Sequence, residues 1–198
     1  MRGYFHVSDT KKTGKRYFTS DQHFFDKNIM AAADRPYAMP EAMTDDIVTH
    51  FLAKTVDASE VYILGDIFGS AQPADPYRLC GEMLERLGAR RRPFHLIRGN
   101  HDHLTDEEYL ALGFKSVNRI DFIELGGMRA MLTHDPCMVQ AKNLLALCGH
   151  IHTLFYEVYQ QERNTLALNV GVDLRSFEPL SEDEILEIVR RSPYQPAS

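Results

Sequence analysis

The chain has 198 residues, 44% of them hydrophobic and 10% aromatic, enough to bury a sizeable core and to exclude a disordered chain. Its net charge of −6 and sequence pI of about 5.8 argue against a protein that tracks nucleic-acid backbones, because such binding draws on clustered Lys and Arg. A small phosphate substrate stays open, since metal ions can meet its charge locally.

The predicted elements begin with a hairpin, Tyr4–Val7 and Arg16–Thr19, around a polar turn containing Lys11, Lys12, Thr13 and Gly14. Met43, Ile47 and Phe51, with Val48 and Leu52 beside them, have helical spacing. The β-branched and aromatic run Val61-Tyr62-Ile63-Leu64 ends abruptly in Gly65-Asp66, and Leu79, Met83 and Leu87 mark a second helix closed by Gly88. Phe94–Ile97 reads as a strand that ends in Gly99-Asn100-His101-Asp102, and Thr105 with Glu108 forms a capping box that opens a helix. Phe122–Leu125 and Arg129–Leu132 flank Gly126-Gly127 as a hairpin. A helix over Val139–Leu145 precedes the strand-like Leu147-Cys148, Phe155–Tyr159 and Leu166–Val170 form a second hairpin, and Ser181 with Glu184 opens a last helix. Early strand–helix alternation and late hairpins predict an α/β fold in which two mixed β-sheets pack as a sandwich flanked by α-helices.

Cys80, Cys137 and Cys148 are odd in number, widely spaced and without a CxxC pair, which disfavours both a disulfide framework and a thiolate zinc site. Met1–Ser8 lacks the apolar core of a signal peptide, and no apolar run approaches the ~20 residues that span a bilayer. The expectation is a cytoplasmic protein that engages no membrane. No repeat, low-complexity stretch or Gly/Ser/Pro-rich linker divides the sequence, so residues 1–198 are expected to form one domain.

Five polar clusters stand at the ends of apolar strand candidates: Asp21-Gln22-His23, Gly65-Asp66, Gly99-Asn100-His101-Asp102, His134, and Gly149-His150-Ile151-His152. Strand ends on a rigid sheet can hold side chains from distant segments in one rim. Imidazole, carboxylate and amide donors suit Mn, Fe, Zn or Ni. Seven such donors exceed the needs of one ion and match two, with an aspartate as the group able to touch both.

The ordered series DxH, GD, GNHD, a lone His and GHxH resembles the calcineurin-like metallophosphoesterase superfamily over roughly residues 16–173. The stretches SDQHFFDKNI, LIRGNHD, and GHIH followed by LNVGVD resemble its small, capless bacterial members. The resemblance implies a four-layer αββα fold and two divalent ions, with Mn2+ expected and Fe, Zn or Ni compatible. It implies that Asp21, His23 and His152 hold the first ion, that Asn100, His134 and His150 hold the second, and that Asp66 bridges them. His101 matches the family's non-ligand catalytic histidine. Phosphodiester or phosphomonoester hydrolysis would proceed by attack of a metal-bridging hydroxide on phosphorus, without a covalent phosphoenzyme.

Each motif also has a plainer reading. Gly-Asp after a strand is commonly a turn, and a lone His134 is commonly a hydrogen-bonded core residue; the order of the series favours coordination. His6, His50, His95 and His103 match no motif position and read as structural or exposed, His103 adjoining His101. Arg98 divides evenly between contacting substrate phosphate and offsetting ligand charge. Asp102 reads as an orienting group or turn cap, and Asn28, Arg35 and Arg175 as solvated surface, with a place at the rim only by resemblance. Gly65-Asp66 continues as Ile67-Phe68-Gly69, without the Asp-Arg-Gly of protein phosphatases, and too little chain remains for a large cap, so the site is expected to be open. Two alternatives stand: a non-catalytic metal-binding interaction scaffold like retromer's phosphoesterase-like subunit, and a nuclease, disfavoured by the acidic balance. The expected partner is a small phosphorylated substrate, with stable nucleic-acid binding disfavoured.

Overall fold

The computed structural model describes residues 14–70 and 73–196. The strand β2 (Ala58–Ile63) sets the layering. Val61 and Ile63 lie in one apolar cluster while Tyr62 and the following Leu64 lie in another, because successive side chains of a strand point to opposite faces. β2 sits between β1 (Lys15–Thr19) and β3 (Phe94–Ile97), and β4 (Ser116–Asn118) follows β3; these four are parallel. The antiparallel β10 (Leu180–Ser181) completes a five-stranded sheet in the order β10-β1-β2-β3-β4.

The second sheet has the order β5-β6-β7-β9-β8. Its parallel centre is β6 (Met128–Thr133), β7 (Leu144–Cys148) and β9 (Thr165–Asn169), edged by antiparallel β5 (Ile120–Leu125) and β8 (Glu157–Gln160). Phe18, Tyr62, Leu64 and Ile97 of the first sheet pack with Leu132, Leu145, Leu147, Leu166 and Leu168 of the second to form the core between the sheets. The outer face of the first sheet is covered by α1 (Lys27–Ala32), α2 (Pro40–Lys54), α3 (Pro76–Arg86) and α4 (Asp106–Ala111), through residues such as Ile29, Met43, Ile47, Phe51, Met83 and Tyr109. The last helix, α5 (Glu182–Arg191), adds Ile185 and Val189 to the core between the sheets. Two mixed sheets flanked by helices are the fold class read from the sequence.

Several local readings hold to the residue. Thr105 and Ser181 both open helices with complete capping boxes. Gly126 and Gly127 have φ of +53° and +81°, the two positive values a type I′ hairpin turn requires, and join β5 to β6. Gly88 follows α3 in the left-handed region.

Two readings change. At Tyr17 and Phe18, β1 has β2 on one side and β10 on the other, so its neighbours come from distant segments; the expected hairpin partner Tyr4–Val7 lies outside the described residues. The helix expected over 139–145 is absent: a short 3-10 turn (Pro136–Met138) leads to Asn143 at φ +53°, and β7 begins at Leu144. β7 is buried at all five positions, so it reads as a continuous apolar run whose periodicity does not separate strand from helix.

Candidate metal centre

Every polar cluster of the motif series lies just beyond the C-terminal end of a parallel strand. Asp21 and His23 follow β1, Asp66 follows β2, Asn100 to Asp102 follow β3, His134 follows β6, and His150 and His152 follow β7. Ligands of open α/β sheets gather at this edge. The two sheets are joined there: Ser20 bridges Gly171, Val172 N–H donates to Ser20 O at 3.1 Å, and His150 N–H donates to the Asp21 carboxylate at 3.0 Å.

Two groups of donors result. Asp21, His23 and His152 form one, and Asp66, His134 and His150 the other, with the ligand atoms of each group all within 4.8 Å of one another. Both groups draw residues from both sheets. Asp66 Oδ2 lies 3.6 Å from His23 Nε2 and 3.3 Å from His134 Nε2, so one carboxylate stands between the groups. Asn100 Oδ1 is 3.1 Å from His134 Nε2.

The outer hydrogen bonds fix which nitrogen faces inward. His134 Nδ1 donates to the Leu64 carbonyl at 2.7 Å, which turns Nε2 towards Asp66 and Asn100. His152 Nδ1 is held by Asp173 at 2.7 Å and His23 Nδ1 by Asp26 at 3.2 Å. His23 Nε2 is buried and makes no hydrogen bond. Clustered buried carboxylates and a buried, unsatisfied imidazole nitrogen are costly unless a cation sits among them, so the donor set fits a bound divalent ion.

The electrostatics agree. Burial opposes ionisation of Asp66, but His134 and the backbone N–H of His101, 2.9 Å from Oδ1, bring its pKa below the usual carboxylate value. Burial disfavours the charged form of His134, yet contact with Asp66 and the field of Asp21 raise it to about 9. His152 is raised against burial by Asp173 and Asp21. The pocket draws positive charge. His101 belongs to neither group; burial lowers its pKa, and its ring lies 5.6 Å from that of His23.

Left-handed backbone recurs at these residues. Asp21, His23, Asp66, His150 and His152 all have positive φ, from +47° to +74°. Each such position costs about 1–3 kcal/mol and persists only where surrounding structure holds it. Glycines make room for the carboxylates: a methyl group on Gly149 would overlap Ser20 Oγ and lie 2.5 Å from Asp21 Oδ2.

Three residues important to this geometry were missed or misread. Arg35 is not solvated surface. Its side chain is 0% exposed and donates to both oxygens of Asp173 at 2.7 and 3.1 Å, to Asp21 O at 2.7 Å and to Gln22 O at 2.8 Å. Asp26 and Asp173 stand behind His23 and His152; the first is three residues from its histidine, and the second closes the LNVGVD stretch. Asp102 holds the loops by accepting from the N–H groups of Asp66, Ile67 and Gly99 at 2.7–3.1 Å, with burial pushing its pKa up.

Arg98 spends its fork within its own loop, donating to Asp106 and to the carbonyls of Asp102 and Leu104, each at 2.7 Å. Arg175 donates to Asn169 O and lies over the Tyr156 ring, while Asn28 and His103 are exposed, His103 with its ring 6.4 Å from that of His101. His95 stacks on Tyr62, and His50 contacts Ser176 O; His6 lies outside the described residues.

The model of the calcineurin-like phosphoesterase superfamily domain matches residues 17–178. The structure is similar to that of AQ665 from Aquifex aeolicus, described as a protein of unknown function, with a TM-score of 0.65 and 23% identity over 88% of this chain and 98% of that one. Yfce, a phosphoesterase from E. coli, aligns with 23% identity over 79% of each chain and a TM-score of 0.49. Nuclease MPE from Pseudomonas putida aligns with 20% identity over 69% of this chain and 60% of that one, with a TM-score of 0.44. No curated protein matches the sequence. No helix among the described residues is long and apolar enough to cross a membrane. The chain belongs to the calcineurin-like phosphoesterase superfamily.

Proposed function

We propose, from that membership and from the paired donor groups, that the protein is a metal-dependent phosphoesterase with a dinuclear site, hydrolysing phosphodiester or phosphomonoester bonds. The observation that carries this reading is Asp66, a buried carboxylate of one three-residue donor group whose Oδ2 also faces His23 of the other. In this reading Asp21, His23 and His152 hold one ion, Asn100, His134 and His150 hold the other, and Asp66 bridges. The nitrogen and oxygen donors suit Mn2+, with Fe, Zn or Ni compatible. When bound, the ions supply Lewis acidity, acidifying water and offsetting charge on the phosphoryl oxygens.

The chain's own groups do the rest. Asp26, Asp173 and the Leu64 carbonyl keep three imidazoles turned with Nε2 inward. Arg35, through Asp173, holds the first group together from behind. His101, outside both groups, donates a proton or a charged hydrogen bond to the leaving oxygen.

Purified protein supplied with Mn2+ is expected to hold about two ions per chain. It should hydrolyse bis-p-nitrophenyl phosphate and lose that activity in EDTA. His101→Ala should keep its metal and lose about 10²–10⁴-fold in kcat. Absence of bound metal by elemental analysis would sink the reading. Two bound ions without turnover of any phosphoester would favour the scaffold alternative, and an unchanged rate in His101→Ala would remove the assigned proton donor.

A further inference from the structure

One side of the rim opens into a cleft of about 520 Å³, lined by Asn100, His134 and His150 and extending to Arg119, Ile120 and Met138. That volume exceeds what a phosphate group needs and lies within the range of small-molecule sites, about 300–1,000 Å³. The fold explains the shape. Arg119 is the one residue between β4 of the first sheet and β5 of the second, and Arg98 N–H donates to Asn118 O at 2.8 Å, so Arg119 stands level with the loop that carries Asn100. Ile120 pairs with Thr133, the residue before His134. Met138 ends the 3-10 turn after His134 and is 51% exposed.

The chemistry of this wall is distinct from that of the donor groups. Arg119 is exposed, and its guanidinium has no carboxylate partner among the described residues. The other arginine of the cleft, Arg98, is engaged by Asp106 and two carbonyls. The cleft also holds Asp135, whose Oδ1 accepts from Cys137 N–H at 2.8 Å and so closes the local turn. A cation without a carboxylate partner among the described residues, beside exposed apolar surface and within one cleft of the donor groups, is suited to a ligand part that is apolar nearby and anionic further out.

We propose that this cleft is the subsite for the remote part of the substrate, and that it takes a nucleotide-sized phosphoester whose far end carries a second anionic group, paired with Arg119. Met138 and Ile120 then face the intervening apolar portion. The proposal rests on the phosphoesterase reading above for its catalytic half and stands on binding alone for the other.

The test compares thymidine 5′-(p-nitrophenyl phosphate) with the same ester bearing a 3′-phosphate, using the Mn2+-loaded protein. The 3′-phosphorylated ester should show about a tenfold higher kcat/KM, expressed in KM, as expected for one charge-assisted contact at an exposed arginine. In Arg119→Ala the ratio should fall to near one, and in Arg119→Glu below one. Calorimetry separates the two readings: thymidine 3′,5′-bisphosphate should bind more tightly than thymidine 5′-monophosphate, and Arg119→Ala should abolish the difference. Turnover of neither ester, with this binding difference intact, would overturn the phosphoesterase reading and support the subsite. A ratio near one in the unmodified protein, or a preference that survives Arg119→Ala, would overturn the subsite.

Discussion

Asp66 differs from the other candidate ligands in what its loss removes. One of its oxygens accepts the His101 N–H at 2.9 Å while the other faces both His23 and His134. An asparagine there keeps the volume and surrenders the charge that both donor groups share. His150, by contrast, serves one group only and lies at the rim. Asp66→Asn is therefore expected to reduce bound metal at both positions, whereas His150→Ala should retain about one ion per chain. Elemental analysis after gel filtration in metal-free buffer measures this, and equal occupancy in the two variants would contradict the bridging role. The clustering of these residues was legible because their type and order repeat at five strand ends, and the structure brings six of them into two groups. Arg98 was not legible in the same way. Sequence position placed it beside the anionic cluster, but the direction of its fork, towards Asp106 and two carbonyls, is set by the loop's path.

At the scale of elements, what was readable followed local rules. Both capping boxes and the Gly126-Gly127 turn are decided within four residues, and the structure contains them as expected. What was not readable depends on distance in the chain. Arg35 and Asp173 are separated by 138 residues, and nothing near either one announces the other. Their contact ties the segment after α1 to the backbone following β1 and to the short turn at Val172–Leu174, which together frame the first donor group. Because Arg35 and Asp173 expose 0% and 2% of their side chains, solvent screens the pair little. Arg35→Met leaves Asp173 charged and short of a partner, and leaves two loop carbonyls without donors. Its expected cost is about 3–5 kcal/mol of unfolding free energy. Urea denaturation measures it; a loss under 1 kcal/mol would mean that the clamp is dispensable to the fold. The failed helix at 139–145 has the complementary cause: a strand buried on both faces loses the alternation by which strands are recognised.

In the whole molecule, the two sheets share a core along their faces and the donor groups at one end. Each group takes members from both sheets: Asp21 and His23 with His152, and Asp66 with His134 and His150. Ions bound there would connect the layers at the edge where left-handed backbone and like-charged carboxylates otherwise oppose close approach. Metal binding and global stability are then linked, because an unfolded chain does not bring these residues together. At a free Mn2+ concentration 100 times the dissociation constant, each occupied site stabilises the native state by about 2.7 kcal/mol. For a chain of this size each 1 kcal/mol moves Tm by roughly 2–4 °C, so the shift between EDTA and Mn2+ should be about 5–11 °C for each ion bound. His152→Ala, which removes the second sheet's member of the first group, should reduce that shift. Scanning calorimetry with and without metal decides the matter: a Tm indifferent to Mn2+ would mean that the rim does not join the sheets through bound ions, whatever the donor geometry suggests.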